Sequence, residues 1–165
     1  MTEYGMQSFP SMSMVESFTY EKDRSLDSDV MNAHQKASLG TANLIKYVED
    51  YYRMNDDFDS IVGLSQIMQA EAIRFAVEAH RRNMPYCMGT LYWQFNDCWP
   101  VISWSSIDYG GNWKALHYAA RKFFSPILVS IRDLDDKIEI HVINDQHHEV
   151  ESRIRLGLFN LNGDI

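Results

Sequence analysis

The sequence has few cysteines, no cluster of basic residues and no apolar run long enough to cross a membrane. Cys87 and Cys98 are its only cysteines, and neither lies in a C-x-x-C or Cys/His metal pattern, so we interpret both as small core or near-core residues. Fifteen basic residues against 23 acidic ones give a net charge of −8 with no Lys/Arg stripe. Nucleic acid and membrane are therefore not expected as partners, and no metal site is predicted.

The chain has enough apolar material for a domain-sized core, and a carboxylate stands at its first predicted strand end. Its 165 residues are 45% hydrophobic. Glu3 follows a short extended segment, and Gly5 suits a strand that ends abruptly. In parallel β/α proteins, residues at the carboxyl end of a strand point into the active-site mouth. Glu3 is therefore a candidate catalytic residue, the alternative being an ordinary surface glutamate beside a turn.

Two long helices are predicted after a loop over this mouth, residues 11–29. The first runs from about residue 30 to residue 53, and residues 55–57 break it. Asp59 or Ser60 is the predicted cap of the second, which spans residues 61–82. The predicted core stripe of the first helix is Leu44, Val48, Tyr51 and Tyr52, and that of the second is Leu64, Met68, Ala72, Phe75 and Ala79, with Glu71, Arg74, Glu78 and Arg81 mostly outside.

A second strand, loop and helix are predicted further along the chain. Residues 87–95 are rich in aromatic and aliphatic types, which is typical of a strand buried on both faces. The strand ends in Asn96 and Asp97, and a loop follows. Asn112 is the predicted cap of a helix over residues 113–124.

After Pro126 the pattern changes to three short alternating runs, residues 127–132, 137–144 and 153–160. We expect antiparallel strands of an immunoglobulin-like β-sandwich. The predicted fold class is α/β: residues 1–125 form the last two β/α units of a (β/α)8 TIM barrel, and residues 126–165 begin the sandwich. Both parts fall short of complete domains, so the chain is expected to be a fragment. Alone, it is expected to self-associate through uncovered strand edges.

Three stretches carry a family resemblance. Residues 2–10 (TEYGMQSFP), 89–100 (GTLYWQFNDCWP) and 112–118 (NWKALHY) resemble the retaining β-mannosidases of glycoside hydrolase family 2. Members with galactosidase and glucuronidase activity share the Glu-Tyr strand end, whereas the longer runs are associated with mannosidases. The resemblance implies a larger protein of several domains, in which this chain holds the seventh and eighth barrel strands. It also implies a β-mannoside oligosaccharide as substrate and no cofactor.

The resemblance assigns roles to individual residues. Glu3 matches the catalytic nucleophile of the family. The family's acid/base is a glutamate in an Asn-Glu pair, and no such pair occurs in these 165 residues, so the chain alone is expected to be inactive. Trp93 matches the tryptophan that walls the sugar subsite, with barrel core as its alternative role.

Other polar and aromatic residues near these positions have open roles. Asn96 and Asp97 can bind sugar hydroxyls, orient the tryptophan or cap the loop. Trp99 lies near outer sugar subsites or packs under the loop, and packing is favoured. Lys114 can reach the pocket, as a basic residue does in glucuronidase relatives, although its helix is expected to be structural.

Two alternatives to a mannosidase remain. One is a β-galactosidase or β-glucuronidase of the same family. The other is a non-catalytic carbohydrate-binding or interaction module. No signal peptide is found in the first residues. Cysteine use does not settle the compartment, although the resemblance implies an extracytoplasmic parent, either periplasmic, secreted or lysosomal.

Overall fold

A computed structural model describes residues 1–55, 57–157 and 159–163. Five α-helices and one hairpin follow one another along these residues. They are α1 (Met12–Phe18), a short 3-10 helix (Glu21–Asp23), α2 (Asp29–Ala33), α3 (Gly40–Tyr51), α4 (Phe58–Arg82), α5 (Ala115–Phe123), β1 (Ile127–Leu134) and β2 (Lys137–Asn144). None of the helices in these ranges is long and apolar enough to cross a membrane.

The segment predicted as a loop, residues 11–29, contains α1 and the 3-10 helix. Ser11 caps α1, because its hydroxyl accepts a hydrogen bond from the backbone N–H of Met14 at 3.3 Å. Met14 and Val15 are buried. The loop prediction was therefore wrong over these residues, since a side-chain cap and two apolar residues suffice for a short helix against the core.

The single helix predicted for residues 30–53 is two helices, α2 and α3. Between them the backbone bonds to a distant loop: Ile102 donates to the carbonyl oxygen of His34 at 2.7 Å, and Lys36 donates to that of Ile102 at 3.2 Å. These contacts replace helical hydrogen bonds and separate the helices. Leu44 and Val48 are buried as predicted, but Tyr51 is 73% exposed.

Helix α4 begins earlier than predicted. The cap is Asp57, whose carboxylate accepts from the backbone N–H of Ser60 at 3.0 Å, so the prediction of Asp59 or Ser60 was wrong. Asp56, part of the predicted break between the helices, lies outside the described residues.

The buried face of α4 differs from the predicted apolar stripe. Phe75 is 70% exposed, whereas Glu78 and Arg81, predicted outside, are buried. The buried residues are Ile61, Val62, Ser65, Gln69, Ala70, Ile73, Val77, Glu78 and Arg81. Polar side chains on this face bind backbone groups of the adjoining loops, which is why apolar periodicity alone selects the wrong face.

The segment predicted as a strand, residues 87–95, forms one isolated bridge and no regular strand. Tyr92 bridges Tyr4 in parallel, and just beyond the segment Asn96 bridges Ile107 in parallel. The predicted parallel relation between the first segment and this one is present, but it consists of one bridge. Helix α5 follows Lys114, and Asn112 does not cap it; the Asn112 side-chain amide instead donates to Asp108 at 3.1 Å.

The two strands after Pro126 are confirmed as an antiparallel hairpin. Ile127 pairs with Asn144 at one end of the ladder, and Leu134 pairs with Lys137 at the other. The third predicted strand, residues 153–160, is not a strand in the described part of that range. Leu158 lies outside the described residues, as do Asp164 and Ile165 of the predicted sandwich segment.

Two hydrophobic clusters form the core. One joins the first residues and α1 to α3 and the start of α4, and it contains Phe9, Val15, Met31, Leu44, Val48, Ile61, Val62 and Ile102. The other joins α4 to α5 and contains Ala70, Ile73, Val77, Leu116, Ala120 and Phe123. The first segment and the Trp93 segment lie above this second cluster, since Tyr4 and Tyr92 both pack against it.

Candidate functional site

Glu3 lies in an exposed position at the end of the first extended segment. Its neighbour Tyr4 accepts a backbone hydrogen bond from Trp93 at 2.8 Å, which joins the two segments side by side. The Tyr4 hydroxyl lies 2.7 Å from the hydroxyl of Thr90, and burial raises the pKa of this phenol. The backbone beside Glu3 is thus held to the backbone of Trp93, while the carboxylate faces solvent.

Gly5 is required by close approach. A Cβ atom there would lie 2.5 Å from the carbonyl oxygen of Trp93 and 2.9 Å from Cδ1 of Trp104. Its φ is outside the left-handed region, so the glycine is needed here for the close approach and not for an unusual backbone angle. Gly5 instead lets the first segment pass directly beside Trp93.

Trp93 is half-exposed, and the peptide bond that joins it to Gln94 is cis. Gln94 is anchored on both backbone groups: its N–H donates to Trp104 at 3.0 Å, and its carbonyl accepts from Ser106 at 3.0 Å. The backbone that follows the indole is therefore fixed by hydrogen bonds at both of the Gln94 backbone groups.

Asn96 and Asp97 occupy different environments. Asn96 is exposed, whereas the Asp97 carboxylate is buried and accepts hydrogen bonds from the hydroxyls of Ser103, at 2.8 Å, and Ser105. Gln94 donates to the same carboxylate at 3.1 Å. Asp97 also lies 3.9 Å from the ammonium of Lys36. The carboxylate is buried and accepts hydrogen bonds from three side chains, which favours the orienting role among those open for it.

Trp99 packs beside an aromatic stack. The rings of His34 and Phe18 lie parallel with centroids 4.0 Å apart, and the Trp99 ring centroid is 5.5 Å from that of His34. Nδ1 of His34 lies 2.6 Å from the carbonyl oxygen of Pro100. These contacts support the packing role for Trp99, although its side chain is still partly exposed to solvent.

Lys114 is fully buried and does not line an open pocket. Its ammonium donates to the carbonyl oxygens of Ser8, at 3.3 Å, and Ser103, at 3.4 Å. Burial lowers the pKa of Lys114 to about 7, while the charges of Asp97 and Asp108 oppose this shift. The possibility that Lys114 reaches the sugar pocket does not fit this position.

Asp108 is a buried carboxylate that sequence reasoning missed. It accepts from the backbone N–H of Ser11 at 3.2 Å and from its hydroxyl at 2.5 Å. It also accepts from the backbone N–H of Asn112 at 2.9 Å. The signal available in the sequence was the group of serines at positions 103, 105 and 106 just before Asp108, in a segment that was predicted only as a loop.

An open cleft of about 450 Å³ adjoins the first segment. Its lining includes Gly5, Gln7 and Trp104, together with Tyr47 of α3. Among the described residues, no group of histidine, cysteine, aspartate and glutamate side chains is arranged to hold a metal ion. Glu3 and Trp93 are not among the residues that line this cleft, whose polar groups include the amides of Gln7 and Asn43.

Comparison with known proteins finds β-mannosidases among both the curated relatives and the solved structures. No protein-family model matches the chain. The β-mannosidase of Capra hircus is 33% identical over 171 residues, covering 94% of this chain and 20% of the goat protein. β-Mannosidase B of Aspergillus terreus is 37% identical over 135 residues, covering 79% of this chain and 16% of the fungal protein.

A solved structure agrees with these relatives. The crystal structure of the β-D-mannosidase from Dictyoglomus thermophilum matches with a TM-score of 0.85 and 36% identity, covering 88% of this chain and 18% of that one. The chain thus spans about a fifth of the length of the relatives it matches. Similarity in both sequence and backbone along most of its residues shows that this chain belongs to the β-mannosidases of glycoside hydrolase family 2.

Proposed function

We propose that this chain is part of a retaining exo-β-mannosidase and that Glu3 is the catalytic nucleophile. The observation that carries the proposal is the backbone hydrogen bond between Tyr4 and Trp93, at 2.8 Å. It joins the segment of an exposed carboxylate to the segment of a half-exposed indole. An indole face suits the apolar face of a pyranose, and a carboxylate on the adjoining segment suits attack on the anomeric carbon.

The reaction is a double displacement. Glu3 attacks the anomeric carbon of a terminal β-D-mannose and forms a glycosyl-enzyme, while a second carboxyl group protonates the leaving oxygen. That second group then activates the water that hydrolyses the intermediate. Because no Asn-Glu pair occurs in the 165 residues, the acid/base comes from elsewhere in the longer protein, and this chain alone is inactive.

The proposed architecture follows the same lines. Residues 1–125 form the last two β/α units of a TIM barrel, and residues 126–165 begin a β-sandwich. The parallel bridge between Tyr4 and Tyr92 supports adjacent barrel strands, each followed by helices. The antiparallel hairpin after Pro126 supports the change to a β domain.

In the proposed sugar site, Trp93 forms a wall of the subsite and Asn96 binds hydroxyl groups. Asp97 acts by fixing Gln94, and through it Trp93, because its carboxylate is occupied by protein donors. The buried position of Lys114 supports a neutral mannoside over a glucuronide, whose carboxylate would require an accessible cation.

Mechanism-based labelling tests the nucleophile. The longer protein is treated with 2-deoxy-2-fluoro-β-mannosyl fluoride, and the labelled peptide is identified by mass spectrometry. We expect the label on Glu3. Replacing Glu3→Gln should lower kcat/KM for an aryl β-mannoside by about a thousandfold or more, because the attacking oxygen is lost.

A matched control uses Glu49→Gln, which removes another exposed carboxylate, on α3, and should leave kcat/KM within about twofold. Near-normal turnover by the Glu3→Gln protein would refute the nucleophile assignment. A panel of aryl glycosides tests the sugar, and a clear preference for galactoside or glucuronide would refute the mannoside assignment.

A further inference from the structure

Lys114 binds two backbone carbonyls that belong to the two segments of the candidate site. Ser8 lies downstream of Glu3, and Ser103 lies downstream of Trp93. The Lys114 ammonium donates to the Ser8 oxygen at 3.3 Å and to the Ser103 oxygen at 3.4 Å. A buried ammonium is costly unless its hydrogen bonds are satisfied, so this position demands an explanation beyond packing.

The two serines are also bonded directly to each other. The N–H of Ser8 donates to Ser103 at 2.9 Å, and the N–H of Ser103 donates to Ser8 at 3.3 Å. Each carbonyl therefore accepts both a backbone N–H and the Lys114 ammonium. Lys114 is thus a cross-link at the bridge between Ser8 and Ser103, which is one of the points where the two segments pair.

Side chains extend this cross-link back toward Glu3. The Ser8 hydroxyl donates to the Gln69 side chain at 2.8 Å, and the Gln69 amide donates to the carbonyl oxygen of Met6 at 2.8 Å. Gln69 is fully buried on α4. The segment between Glu3 and Ser8 is therefore held at Met6 and at Ser8.

A second set of hydrogen bonds extends toward Trp93. The Ser103 hydroxyl donates to Asp97 at 2.8 Å, and the Gln94 amide donates to the same carboxylate at 3.1 Å. Gln94 is the next residue after Trp93. The negative charges of Asp97 and Asp108 favour the charged form of Lys114, and Lys36 shares the Asp97 carboxylate.

We propose that Lys114 is a positioning residue that fixes Glu3 relative to Trp93 by binding the Ser8 and Ser103 carbonyls, without touching the sugar. This inference rests on the proposed function of Glu3. A displacement of about 1 Å between a nucleophile and its bound substrate costs up to about a hundredfold in rate. Loss of the cross-link therefore reduces the rate of attack more than it reduces sugar binding.

The test uses the longer protein with Lys114→Met, which keeps the side-chain length and removes the charge. Labelling by 2-deoxy-2-fluoro-β-mannosyl fluoride reports the attack step. Its maximal rate should fall about tenfold to a hundredfold, while the reagent concentration that gives half the maximal rate changes less than about threefold. The control is Lys122→Met, which removes an exposed lysine from the same helix α5 and should change neither value by more than about twofold.

A second variant, Lys114→Arg, retains the charge and several donors. It should label about threefold or more faster than the Lys114→Met protein, because the carbonyls regain a charged partner. Circular dichroism of each protein establishes that the comparison is made between folded molecules.

Three results would overturn the inference. The first is a folded Lys114→Met protein that labels at the unmodified rate. The second is a Lys114→Met protein whose maximal labelling rate is unchanged while the reagent concentration that gives half the maximal rate rises. The third is unfolding of both Lys114 variants, which would give Lys114 a role in folding alone. A label on a peptide without Glu3 is a different result, because it would refute the proposed function and the inference together.

Discussion

Two regions of the molecule contain extended backbone, and they are held in different ways. The hairpin region, β1 and β2 with their contacts to α4, has a continuous antiparallel ladder from Ile127 to Leu134. The strand-end region, residues 3–10 and 92–108, has single bridges connected by buried polar side chains. Backbone hydrogen bonds therefore stabilise the hairpin, whereas the strand-end region depends on individual side chains such as Lys114, Gln69 and Asp97.

The comparison shows where each region is vulnerable. In the hairpin region the vulnerable point is the attachment to α4, where buried charges meet the sheet. In the strand-end region it is the close approach of segments and the cross-link between them. The following stability predictions are for urea unfolding of the 165-residue chain, with light scattering used to follow self-association.

The largest loss of stability is expected from a substitution that breaks the contact between the hairpin and α4. The Glu78 carboxylate accepts from Ser130 of β1 at 2.6 Å and lies 3.7 Å from the Arg82 guanidinium. Glu78→Leu should lower the free energy of unfolding by about 3 kcal/mol, because it leaves the largely buried Arg82 guanidinium without its carboxylate partner. Glu71→Leu on the exposed side of the same helix should cost about 0.5 kcal/mol. Equal effects of the two changes would contradict the importance of the buried contact.

The next largest loss is expected from a substitution at Gly5, where the two segments of the strand-end region approach each other most closely. Gly5→Ala should lower the free energy of unfolding by about 2 kcal/mol, because the added methyl group overlaps the Trp93 carbonyl and the backbone must move. Gly63→Ala is the control, since nothing lies within 4 Å of a Cβ at that position on α4. The control should stabilise the chain by about 0.5 to 1 kcal/mol. A stabilising Gly5→Ala change would refute the close packing.

A third prediction concerns the charge of the Lys114 ammonium, which is measured through the pH dependence of the free energy of unfolding. The pKa of Lys114 is about 7 in the folded chain against an ordinary value of 10.5. Between these values the unfolded chain binds more protons, so the free energy of unfolding rises with pH, by about 1 kcal/mol per pH unit. The cost of the buried charge is fully present below the folded pKa. The slope should disappear in Lys114→Met, and an unchanged slope would show that another group titrates.

The smallest loss of stability is expected from the exposed ion pair at the edge of the hairpin. Asp145 lies 2.8 Å from the Arg81 guanidinium, but its side chain is 41% exposed. Asp145→Asn should cost about 0.5 kcal/mol, because water screens the pair and the amide keeps an acceptor. The cost should shrink further in 1 M salt. A loss as large as that of Glu78→Leu would mean that this pair carries the attachment.

The sequence was most informative where structure depends on neighbouring residues. The ends of α5 and of the hairpin lie close to the predicted bounds, because periodicity and adjacent turns determine them locally. The break between α2 and α3 was not predictable in this way. It depends on hydrogen bonds from Ile102, which is remote in sequence from His34.

The candidate site shows the same division. The neighbouring positions of the Glu3 and Trp93 segments could be expected from strand order and from the family resemblance. The burial of Lys114 and Asp108 could not, since both residue types are normally exposed. Their positions depend on carbonyls and hydroxyls supplied by several loops at once, including Ser8, Ser103 and Ser11.

Asp108 has a consequence for the order of events during synthesis. It holds Ser11, the cap of α1, across a sequence separation of 97 residues. At a synthesis rate of about 5 to 20 residues per second, the ribosome needs roughly 5 to 20 seconds between making the two residues. Through that interval the segment that contains Ser11 lacks the Asp108 carboxylate to which it binds in the folded chain. A chaperone that shields Phe9 and Val15 during this delay would act on the nascent chain before the site can form.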